Sequence, residues 1–280
     1  MRRIILWTCP RCVSTAFERC FIGVEGVKVF HEPYGNPFYY GADRAQTPEA
    51  VGFAPGMDTF DGVLAALRAD YPGFHTVFSK DMAYYLRNKM NAKYLRGFQH
   101  TLLMRHPCKT ALSLWTKSRC EPDTGAPNAS TGWTFFDVRD LGYRELYDIA
   151  DFVLNHREEQ QQQDGADDDL LLDPSGMMRA YCAATGLPYD AGMLTWEPGP
   201  VEAWNTWPGW HDDALRSTGL QKREHRKPAP SVAEVVAAMK ADVCTLPHHH
   251  EHYNWQEIQA ELQHAVDLYG KLYAHALKLE

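Results

Sequence analysis

Short apolar runs alternate with amphipathic segments along the chain, and this alternation is typical of an α/β protein with a parallel sheet. Four of the runs predict strands over residues 4–7, 27–30, 76–78 and 101–104. The leucine run 170–172 predicts a last core strand. The polar, acidic stretch 160–169 that precedes it predicts a surface loop, because nothing in that stretch gains from burial.

Between the predicted strands, apolar residues recur at helical spacing. This spacing predicts helices over 14–22, 109–115, 141–156 and 177–184. A C-terminal helix is predicted from one apolar stripe, which comprises Ile258, Leu262, Val266, Tyr269 and Leu272. The segment 194–210 is rich in Trp, Pro and Gly and predicts an ordered loop. Because no internal repeat and no long linker divides the sequence, we expect a single domain over 1–280 with a helical C-terminal part from about residue 230.

The composition narrows the classes of function. The 280 residues include 28 Lys and Arg against 36 Asp and Glu, and the resulting charge of −8 argues against non-specific nucleic-acid binding. We expect no membrane span and no secretory signal, because no run approaches roughly 20 apolar residues and the run after Arg3 is short. Seven cysteines in a chain of this length do not indicate a disulfide scaffold. These features predict a reduced, cytoplasmic protein that binds neither membrane nor nucleic acid, and they leave the oligomeric state open.

The segment from the first strand to the first helix predicts an anion-binding turn. A strand-to-helix turn collects free backbone N–H groups at the positive end of the helix dipole. Ser14 and Thr15 lie at the predicted start of the helix and add hydroxyl donors, and Arg11 adds a guanidinium suited to phosphate. The turn has no glycine and no lysine before Ser14, so it does not match the pattern of magnesium-dependent ATP hydrolysis. By itself the turn is equally compatible with Ser14 acting only as a helix cap.

Four motifs in order extend this interpretation. The turn reads Pro10-Arg11-x-x-Ser14-Thr15, which resembles the 5′-phosphosulfate loop of sulfotransferases. The segment Arg105-x-Pro107, with Ser113 eight residues after the arginine, resembles the 3′-phosphate motif of that family. The other two motifs are Lys80-Asp81, as in the tyrosylprotein branch, and His31-Glu32-Pro33 after the second strand. The resemblance spans about residues 4–196 and is strongest to bacterial and algal sulfotransferase-like proteins. It implies a three-layer, P-loop NTPase-like α/β fold.

The resemblance also implies a donor, a reaction and residue roles. The donor would be PAPS (3′-phosphoadenosine 5′-phosphosulfate), leaving PAP as product, with no metal required. The 5′-phosphosulfate would be held by Arg11, Ser14 and Thr15 within a turn that includes Cys12 and Val13, and the 3′-phosphate by Arg105 and Ser113. Lys80 would neutralise the bridging oxygen as it leaves. Glu32 would be the general base, with His31 as the competing candidate because imidazole has the better unperturbed pKa.

The acceptor is predicted only as a hydroxyl or amine of a small molecule. Its pocket would come from the segments 34–61, 120–136 and 196–210. The last segment contains four tryptophans, which predict a mixture of pocket lining and core plugs: Trp196, Trp204, Trp207 and Trp210. The basic run 221–227 either closes over the 3′-phosphate through Arg223, Arg226 or Lys227, or is a solvated loop.

Three other functions remain open from the residues. Cys9-x-x-Cys12 lies between a strand and a helix, as redox-active pairs do in thioredoxin-like proteins. A non-catalytic nucleotide-binding protein of the same fold is a second alternative, and a metal-dependent kinase is a third. The histidines at 248–250 and 252 predict adventitious metal binding or, more simply, a solvated loop.

Overall fold

Five strands form one parallel sheet. The computed structural model describes residues 1–41, 57–156, 163–166, 170–243 and 253–276. The strands are β1 (Arg2–Thr8), β2 (Val27–His31), β3 (Thr76–Met82), β4 (Gln99–Met104) and β5 (Gln163–Ala166). Their order is β2-β3-β1-β4-β5 and every neighbouring pair is parallel, so all the strands end at the same edge of the sheet.

Helices cover the connections between these strands. They are α1 (Ser14–Arg19), α2 (Gly35–Tyr40), α3 (Phe60–Arg68), α4 (Ala92–Leu95), α5 (Pro107–Ser118), α6 (Tyr143–Asn155), α7 (Pro174–Thr185), α8 (Asp212–Arg216), α9 (Val232–Ala241) and α10 (Trp255–Tyr273). Short 3₁₀ turns lie at Ala83–Leu86, Val138–Leu141, Ala191–Leu194 and Glu202–Trp204. The fold is therefore α/β, with a parallel sheet flanked by helices.

Both faces of the sheet are buried, as expected for parallel strands. On one face, Phe17 and Phe21 at α1 pack against Tyr181 of α7, with ring centroids 4.9 and 5.8 Å apart. On the other face, Trp7 stacks on Tyr34 at 6.1 Å, and its indole N–H donates to His100. Because side chains alternate along a strand, consecutive residues of β3 contribute to opposite faces. This alternation separates Lys80 from Asp81 at the end of the strand.

The predicted strands at 4–7, 27–30, 76–78 and 101–104 are confirmed, each with one to four additional residues at its ends. The predicted helices over 14–22, 109–115, 141–156 and 177–184 are also confirmed with shifted bounds. The C-terminal helix buries Ile258, Leu262, Ala265, Leu268 and Leu272, so the stripe differs from the predicted one at two positions. Val266 and Tyr269 are only partly buried.

The prediction for the last strand is wrong. Leu170 and Leu171 are buried, but the run lies in a turn that leads into α7. The fifth strand is instead Gln163–Ala166, inside the stretch predicted as a loop. An edge strand pairs through backbone groups on one side only and tolerates a polar sequence, and an apolar run reports burial without specifying the backbone.

Two helices, α9 and α10, lie in the C-terminal part that was predicted to be helical. The single-domain organisation stays a prediction. The histidines at 248–250 and 252 lie outside the described residues. Within the described part of the chain, no helix combines the length and the apolar character that crossing a membrane would require.

Candidate active site

A cavity of about 500 Å³ opens at the carboxyl edge of the sheet, where parallel α/β sheets characteristically bind ligands. Its wall combines residues that follow β1, β2 and β4 with residues from α5 and from the segment 207–223. The predicted site residues in this wall are Arg11, Val13, Ser14, Thr15, Glu32, Arg105 and Ser113. Residues far apart in the sequence therefore share one cavity.

The turn after β1 has an unusual backbone. Arg11 and Val13 have φ values of 59° and 65°, in the left-handed region that non-glycine residues rarely adopt. Val13 is the residue that precedes α1 and it makes no side-chain cap; Ser14 is already the first helical residue. The prediction that Ser14 and Thr15 lie at the start of the helix is confirmed, with Val13 as the residue before it. Both residues line the cavity.

Two arginines brace this turn. Arg105 donates to the carbonyl of Arg11 at 3.0 Å, and Arg11 Nε donates to Ser113 Oγ at 3.1 Å. The guanidinium of Arg11 also donates to the carbonyl of Trp210 at 3.0 Å and approaches Asp213. Burial lowers the pKa of Arg11 and Arg105 adds to this effect, whereas Asp213 opposes it. The two motifs that were predicted to bind phosphate are thus joined by direct hydrogen bonds.

Glu32 forms a closed cluster with Lys80 and Tyr85. It follows β2 with φ 46°, and its backbone N–H donates to the carbonyl of Lys80 at 2.7 Å. The Lys80 ammonium donates to Glu32 Oε1, and the Tyr85 hydroxyl donates to Oε2 at 3.0 Å. Burial by itself would raise the pKa of Glu32, but the charges of Lys80, His31 and His211 and the Lys80 hydrogen bond outweigh it and lower the pKa to about 2. Glu32 lines the cavity, and the fully buried Lys80 lies behind it.

A second chain of hydrogen bonds runs through two histidines. His31 Nδ1 lies 2.6 Å from Glu18 Oε2, and the indole N–H of Trp204 donates to Glu18 Oε1 at 3.1 Å. His31 Nε2 lies 3.0 Å from His211 Nε2, and His211 Nδ1 lies 3.2 Å from Thr15 Oγ1. Burial lowers the pKa of His211 well below its ordinary value, and the neighbouring His31, Lys80 and Arg11 contribute, whereas Glu32 opposes them. His211 lines the cavity, and the side chain of His31 is 1% exposed behind it.

The donor atoms of His31, Glu32 and His211 lie within 4.8 Å of one another, close enough to surround a cation. Both oxygens of Glu32 are already hydrogen-bonded, to Lys80 and Tyr85. The ammonium of Lys80 would repel a metal ion at this point. These side chains therefore fit proton chemistry better than metal coordination.

Aromatic residues form the other side of the cavity. Each of the three predicted acceptor segments contributes to it: Tyr39 from the first, Trp133 and Phe135 from the second, and Trp207 and Trp210 from the third. Four further residues of the cavity wall were not predicted from the sequence. They are Tyr84 and Tyr85, in the 3₁₀ turn after β3, and Asp137 and Asp140. Burial raises the pKa of Asp140 to about 7; Asp137 adds to this effect and Arg87 opposes it.

The tryptophans divide between the two predicted uses. Trp207 and Trp210 line the cavity, whereas Trp204 is buried and donates to Glu18. Trp196 lies against the guanidinium of Arg19, 5.2 Å from the ring centroid. The predicted mixture of pocket lining and core plugs is confirmed.

The basic run 221–227 is also divided. Lys222 and Arg223 line the cavity, and the backbone N–H of Arg223 donates to Leu171 at 2.7 Å. Arg226 instead donates to the Tyr273 hydroxyl of α10 at 3.1 Å. Among the residues singled out from the sequence, Cys12, His31 and Lys80 lie behind the cavity wall. The main residue missed is His211, for which the sequence offers no local signal.

Cys9 and Cys12 are both buried free thiols with different contacts. Cys9 Sγ lies 3.4 Å from the Tyr143 hydroxyl, and Cys12 Sγ donates to the carbonyl of Leu103. The same Tyr143 hydroxyl donates to the carbonyl of Arg105. The two cysteines therefore pack beneath the turn and do not form a disulfide, and their geometry gives the redox alternative no support.

Comparison with known proteins identifies a family model and a more distant relative. A family model described as a sulfotransferase domain matches residues 1–130 and 150–243. The chain is 25% identical over 225 residues to branched-chain-amino-acid aminotransferase-like protein 2 of Arabidopsis thaliana, which covers 79% of this chain and 36% of that protein. The chain thus spans about a third of the length of this relative.

Solved structures with a similar fold include two sulfotransferase domains. One is from the Synechococcus PCC 7002 olefin synthase, with 14% identity, a TM-score of 0.50 and coverage of 99% of this chain and 96% of that one. The other is from the curacin biosynthetic pathway, with 14% identity, a TM-score of 0.49 and coverage of 94% and 97%. At this level of identity the first similarity shows the fold alone.

Proposed function

The chain belongs to the sulfotransferase family, and we propose that it moves a sulfuryl group from PAPS to a hydroxyl or amine of a small molecule without a metal ion. The observation that carries this proposal is the single cavity. In it the anion-binding turn after β1, the Arg105–Ser113 motif and an aromatic wall face one another. The geometry offers an anionic donor and an acceptor molecule adjacent places.

The donor would lie across the carboxyl ends of β1 and β4. Arg11, Ser14 and Thr15 are assigned to the 5′-phosphosulfate, with the backbone of Cys12 and Val13 completing the turn. Arg105 and Ser113 are assigned to the 3′-phosphate. Lys222 and Arg223 bring two further cations to a cavity wall that also carries Glu32, Asp137, Asp140 and Asp213. Because guanidinium groups bind phosphate through charge-assisted hydrogen bonds, this arrangement suits a nucleotide with two anionic ends.

The transfer step would rest on position and charge. The acceptor oxygen or nitrogen attacks sulfur, the new bond to sulfur forms, and the bond from sulfur to the bridging oxygen breaks with its electron pair leaving on the phosphate of PAP. Preorganised cations can stabilise the charge on that oxygen, by analogy with phosphoryl transfer. Lys80 is assigned this role. Its ammonium donates to Glu32 Oε1, and an arriving phosphosulfate would compete with the carboxylate for it.

The acceptor's proton needs a base. Both oxygens of Glu32 already accept hydrogen bonds, from Lys80 and Tyr85, and its carboxylate is the counter-ion of Lys80. We therefore assign Glu32 to hold Lys80 before the donor binds, and we assign proton transfer to the imidazoles, of which His31 is the one predicted from sequence. The positive charge of Lys80 beside Glu32 supports a reaction without a metal ion.

The acceptor would have a flat apolar body and a polar group. Tyr39, Trp133 and Trp207 offer ring surfaces, and the Trp207 indole N–H is buried with no hydrogen-bond partner among the described residues. Such a donor favours a ligand that carries an oxygen or nitrogen acceptor. The six free cysteines of the described chain support a reducing, cytoplasmic setting.

Calorimetric titration with PAP under reducing conditions tests the proposal. We expect PAP to bind with a micromolar Kd in buffer containing EDTA, and ATP with magnesium to bind at least tenfold more weakly. The Arg144→Ala protein serves as a control, because Arg144 is an exposed residue of α6 that pairs with Glu261. Equal or tighter binding of ATP with magnesium, or no binding of PAP, would contradict the proposal.

A further inference from the structure

His211 occupies a place that the donor-binding motifs do not explain. It lies in the segment before α8, lines the cavity, and reaches both α1 and β2 through its two ring nitrogens. Its partners continue to Glu18, a carboxylate with no solvent exposure. A fully buried carboxylate is costly unless it is hydrogen-bonded, and its two contacts here are Trp204 and His31. The four side chains Thr15, His211, His31 and Glu18 form one continuous hydrogen-bonded chain, here called the histidine relay.

One arrangement of protons satisfies every hydrogen bond of the relay with Glu18 as a carboxylate and both imidazoles neutral. An ionised carboxylate only accepts, so His31 Nδ1 carries a proton and donates to Glu18 Oε2. In neutral His31 the Nε2 atom is then an acceptor, and His211 must donate to it from Nε2. His211 Nδ1 is consequently unprotonated and accepts from the Thr15 hydroxyl. The nitrogen that lies toward the donor-binding turn is a free base.

A second arrangement of the histidine relay satisfies the same contacts. If His31 is an imidazolium, it donates to His211 from Nε2 and to Glu18 from Nδ1, and His211 then carries its proton on Nδ1. The two arrangements differ by one proton that enters at His211 and by one proton that moves from His211 to His31. The buried Glu18 stabilises the second arrangement, because it faces the new positive charge.

From this geometry we propose that His211 is the base that takes the acceptor's proton, and that His31 and Glu18 are positioning residues that fix its tautomer and receive the charge. This inference rests on the proposed sulfuryl transfer. In the transfer step the acceptor's proton goes to His211 Nδ1 while the proton on Nε2 moves to His31. The new bond to sulfur and the broken bond to the bridging oxygen are those described above, and no further reagent is required.

Thr15 connects this relay with donor binding. Its hydroxyl lies 3.2 Å from His211 Nδ1. A phosphosulfate in the turn offers charged oxygens that accept more strongly than a neutral imidazole, so the hydroxyl turns to the donor and frees His211 Nδ1 for the acceptor. The base thus becomes available only when the donor is present.

The charged and titratable groups around His211 come from several elements. Thr15 and Glu18 belong to α1, His31 to β2 and Lys80 to β3, with Glu32 and Arg11 from the following turns. Burial lowers the pKa of His211 well below its ordinary value; His31, Lys80 and Arg11 act in the same direction, and Glu32 opposes them. The imidazole of His211 is therefore neutral at neutral pH, and the acidic side of the pH profile reports on the whole relay.

The first test is a long-range ¹H–¹⁵N NMR experiment on the imidazoles of the free protein. We expect His211 with its proton on Nε2 and His31 with its proton on Nδ1 at neutral pH. Addition of PAP, which fills the turn, shifts the His211 Nδ1 resonance more than that of His75, an exposed residue at the opposite edge of the sheet. A proton on His211 Nδ1 in the free protein, or a His211 that ignores bound PAP, would overturn the inference.

The second test uses PAPS as the probe, with water as the acceptor and PAP release as the readout. His211→Asn should lower kcat by about 10²- to 10⁴-fold and abolish the acidic limb of the pH profile, with the affinity for PAP unchanged within about threefold. His75→Asn is the matched control and should keep the wild-type rate. A His211→Asn protein that binds PAP and retains its rate and pH profile would refute the role of His211. A wild-type protein that does not bind PAP would instead refute the proposed function, and the NMR result would still decide the relay.

The third test separates positioning from folding. Glu18→Gln keeps the size of the side chain but gives Trp204 and His31 only one accepting oxygen. We expect kcat to fall about tenfold or more without a change in the KM for PAPS, and Glu18→Asp to recover part of this loss. If Glu18→Gln lowered only the melting temperature, Glu18 would have a structural role and the relay would end at His31.

Discussion

The two faces of β3 each have a buried carboxyl group near the end of the strand, and the pKa values of the two groups are shifted in opposite directions. On one face Lys80 meets Glu32, and burial of that carboxylate is outweighed by the neighbouring cations, so its pKa is lowered to about 2. On the other face the next residue, Asp81, is equally buried, but burial and the nearby Glu32 raise its pKa well above the ordinary value, against the effect of Lys80. Two fully buried carboxyl groups with adjacent positions in the fold therefore have pKa values that are shifted in opposite directions.

The difference lies in the hydrogen-bond partners. Glu32 accepts from an ammonium and a phenol, whereas Asp81 accepts only a long 3.4 Å contact from the backbone of Tyr34. Among the described residues, Asp81 Oδ1 and the Ser79 hydroxyl have no hydrogen-bond partner. The carboxylate on the face that opens into the cavity is stabilised in its charged form, whereas the surroundings of Asp81 on the other face favour the neutral form. The first face serves the chemistry and the second serves the packing.

Replacing Lys80 by Met would break the charged face. The Glu32 carboxylate would remain buried without its counter-ion, which costs about 3 to 5 kcal/mol in the free energy of unfolding. Turnover of PAPS should fall by about 10²- to 10³-fold, because one cation that stabilises the leaving oxygen is lost. Affinity for PAP should change by less than about threefold. Denaturant unfolding, turnover and calorimetry measure the three quantities.

The double variant Lys80→Met/Glu32→Gln is the control for this experiment. Removing both charges should restore most of the stability, since a buried ion pair is often replaceable by neutral groups. It should not restore turnover. A single Lys80→Met variant that turned over PAPS normally would remove Lys80 from the mechanism.

Arg105→Ala would test whether the second cationic motif acts differently from Lys80. Loss of one charge-assisted hydrogen bond to phosphate, together with the brace from Arg105 to the carbonyl of Arg11, should weaken PAP binding by about 10- to 100-fold. At saturating PAPS the rate should fall much less. Calorimetry and initial rates distinguish the two effects, with Arg144→Ala as the surface control. If Arg105→Ala and Lys80→Met lost donor affinity equally, the two roles would not be separate.

Asp81→Asn would change the packed face with the smallest effect. The folded protein keeps a proton on Asp81 that the unfolded chain loses above pH of about 4, so the wild-type protein loses stability as pH rises from there toward the raised pKa. The asparagine variant lacks this loss. We expect stabilities within about 1 kcal/mol at pH 4 and an increasing advantage of the variant toward pH 8. Urea unfolding at the two pH values measures it, and parallel curves for both proteins would show that Asp81 is ionised in the folded state.

The sequence predicted the central strands well because parallel strands buried on both faces are read as continuous apolar runs. It did not predict Gln163–Ala166, since an edge strand needs no apolar side chains. It also assigned Leu170 and Leu171 to a strand, although they are buried in a turn. The sequence therefore predicted correctly that Leu170 and Leu171 are buried, but it did not predict their backbone conformation.

The residues of the site also differ in whether a local sequence pattern predicts them. The turn after β1 and the Arg105 motif are local patterns, and the structure brings their side chains into one cavity. His211 is separated from His31 by 180 positions and lies in an irregular segment, so no spacing in the sequence connects them. Arg223 was predicted only as one of three candidates in a basic run, and Lys222 only as a member of that run. A side chain that follows a strand has a position set by the local backbone, whereas a side chain in an irregular loop has a position set by the packing of the whole protein.

The neighbouring positions of Trp210 and His211 restrict how such an enzyme can diversify. Trp210 belongs to the aromatic wall and His211 to the histidine relay, so the residue that shapes the acceptor's environment and the residue that would take its proton are joined by one peptide bond. Insertions or deletions that remodel this segment for a new acceptor would move the base at the same time. New acceptor ranges are therefore more accessible through side-chain exchanges at Tyr39, Trp133 or Phe135, and grafting a relative's loop would have to end before residue 210.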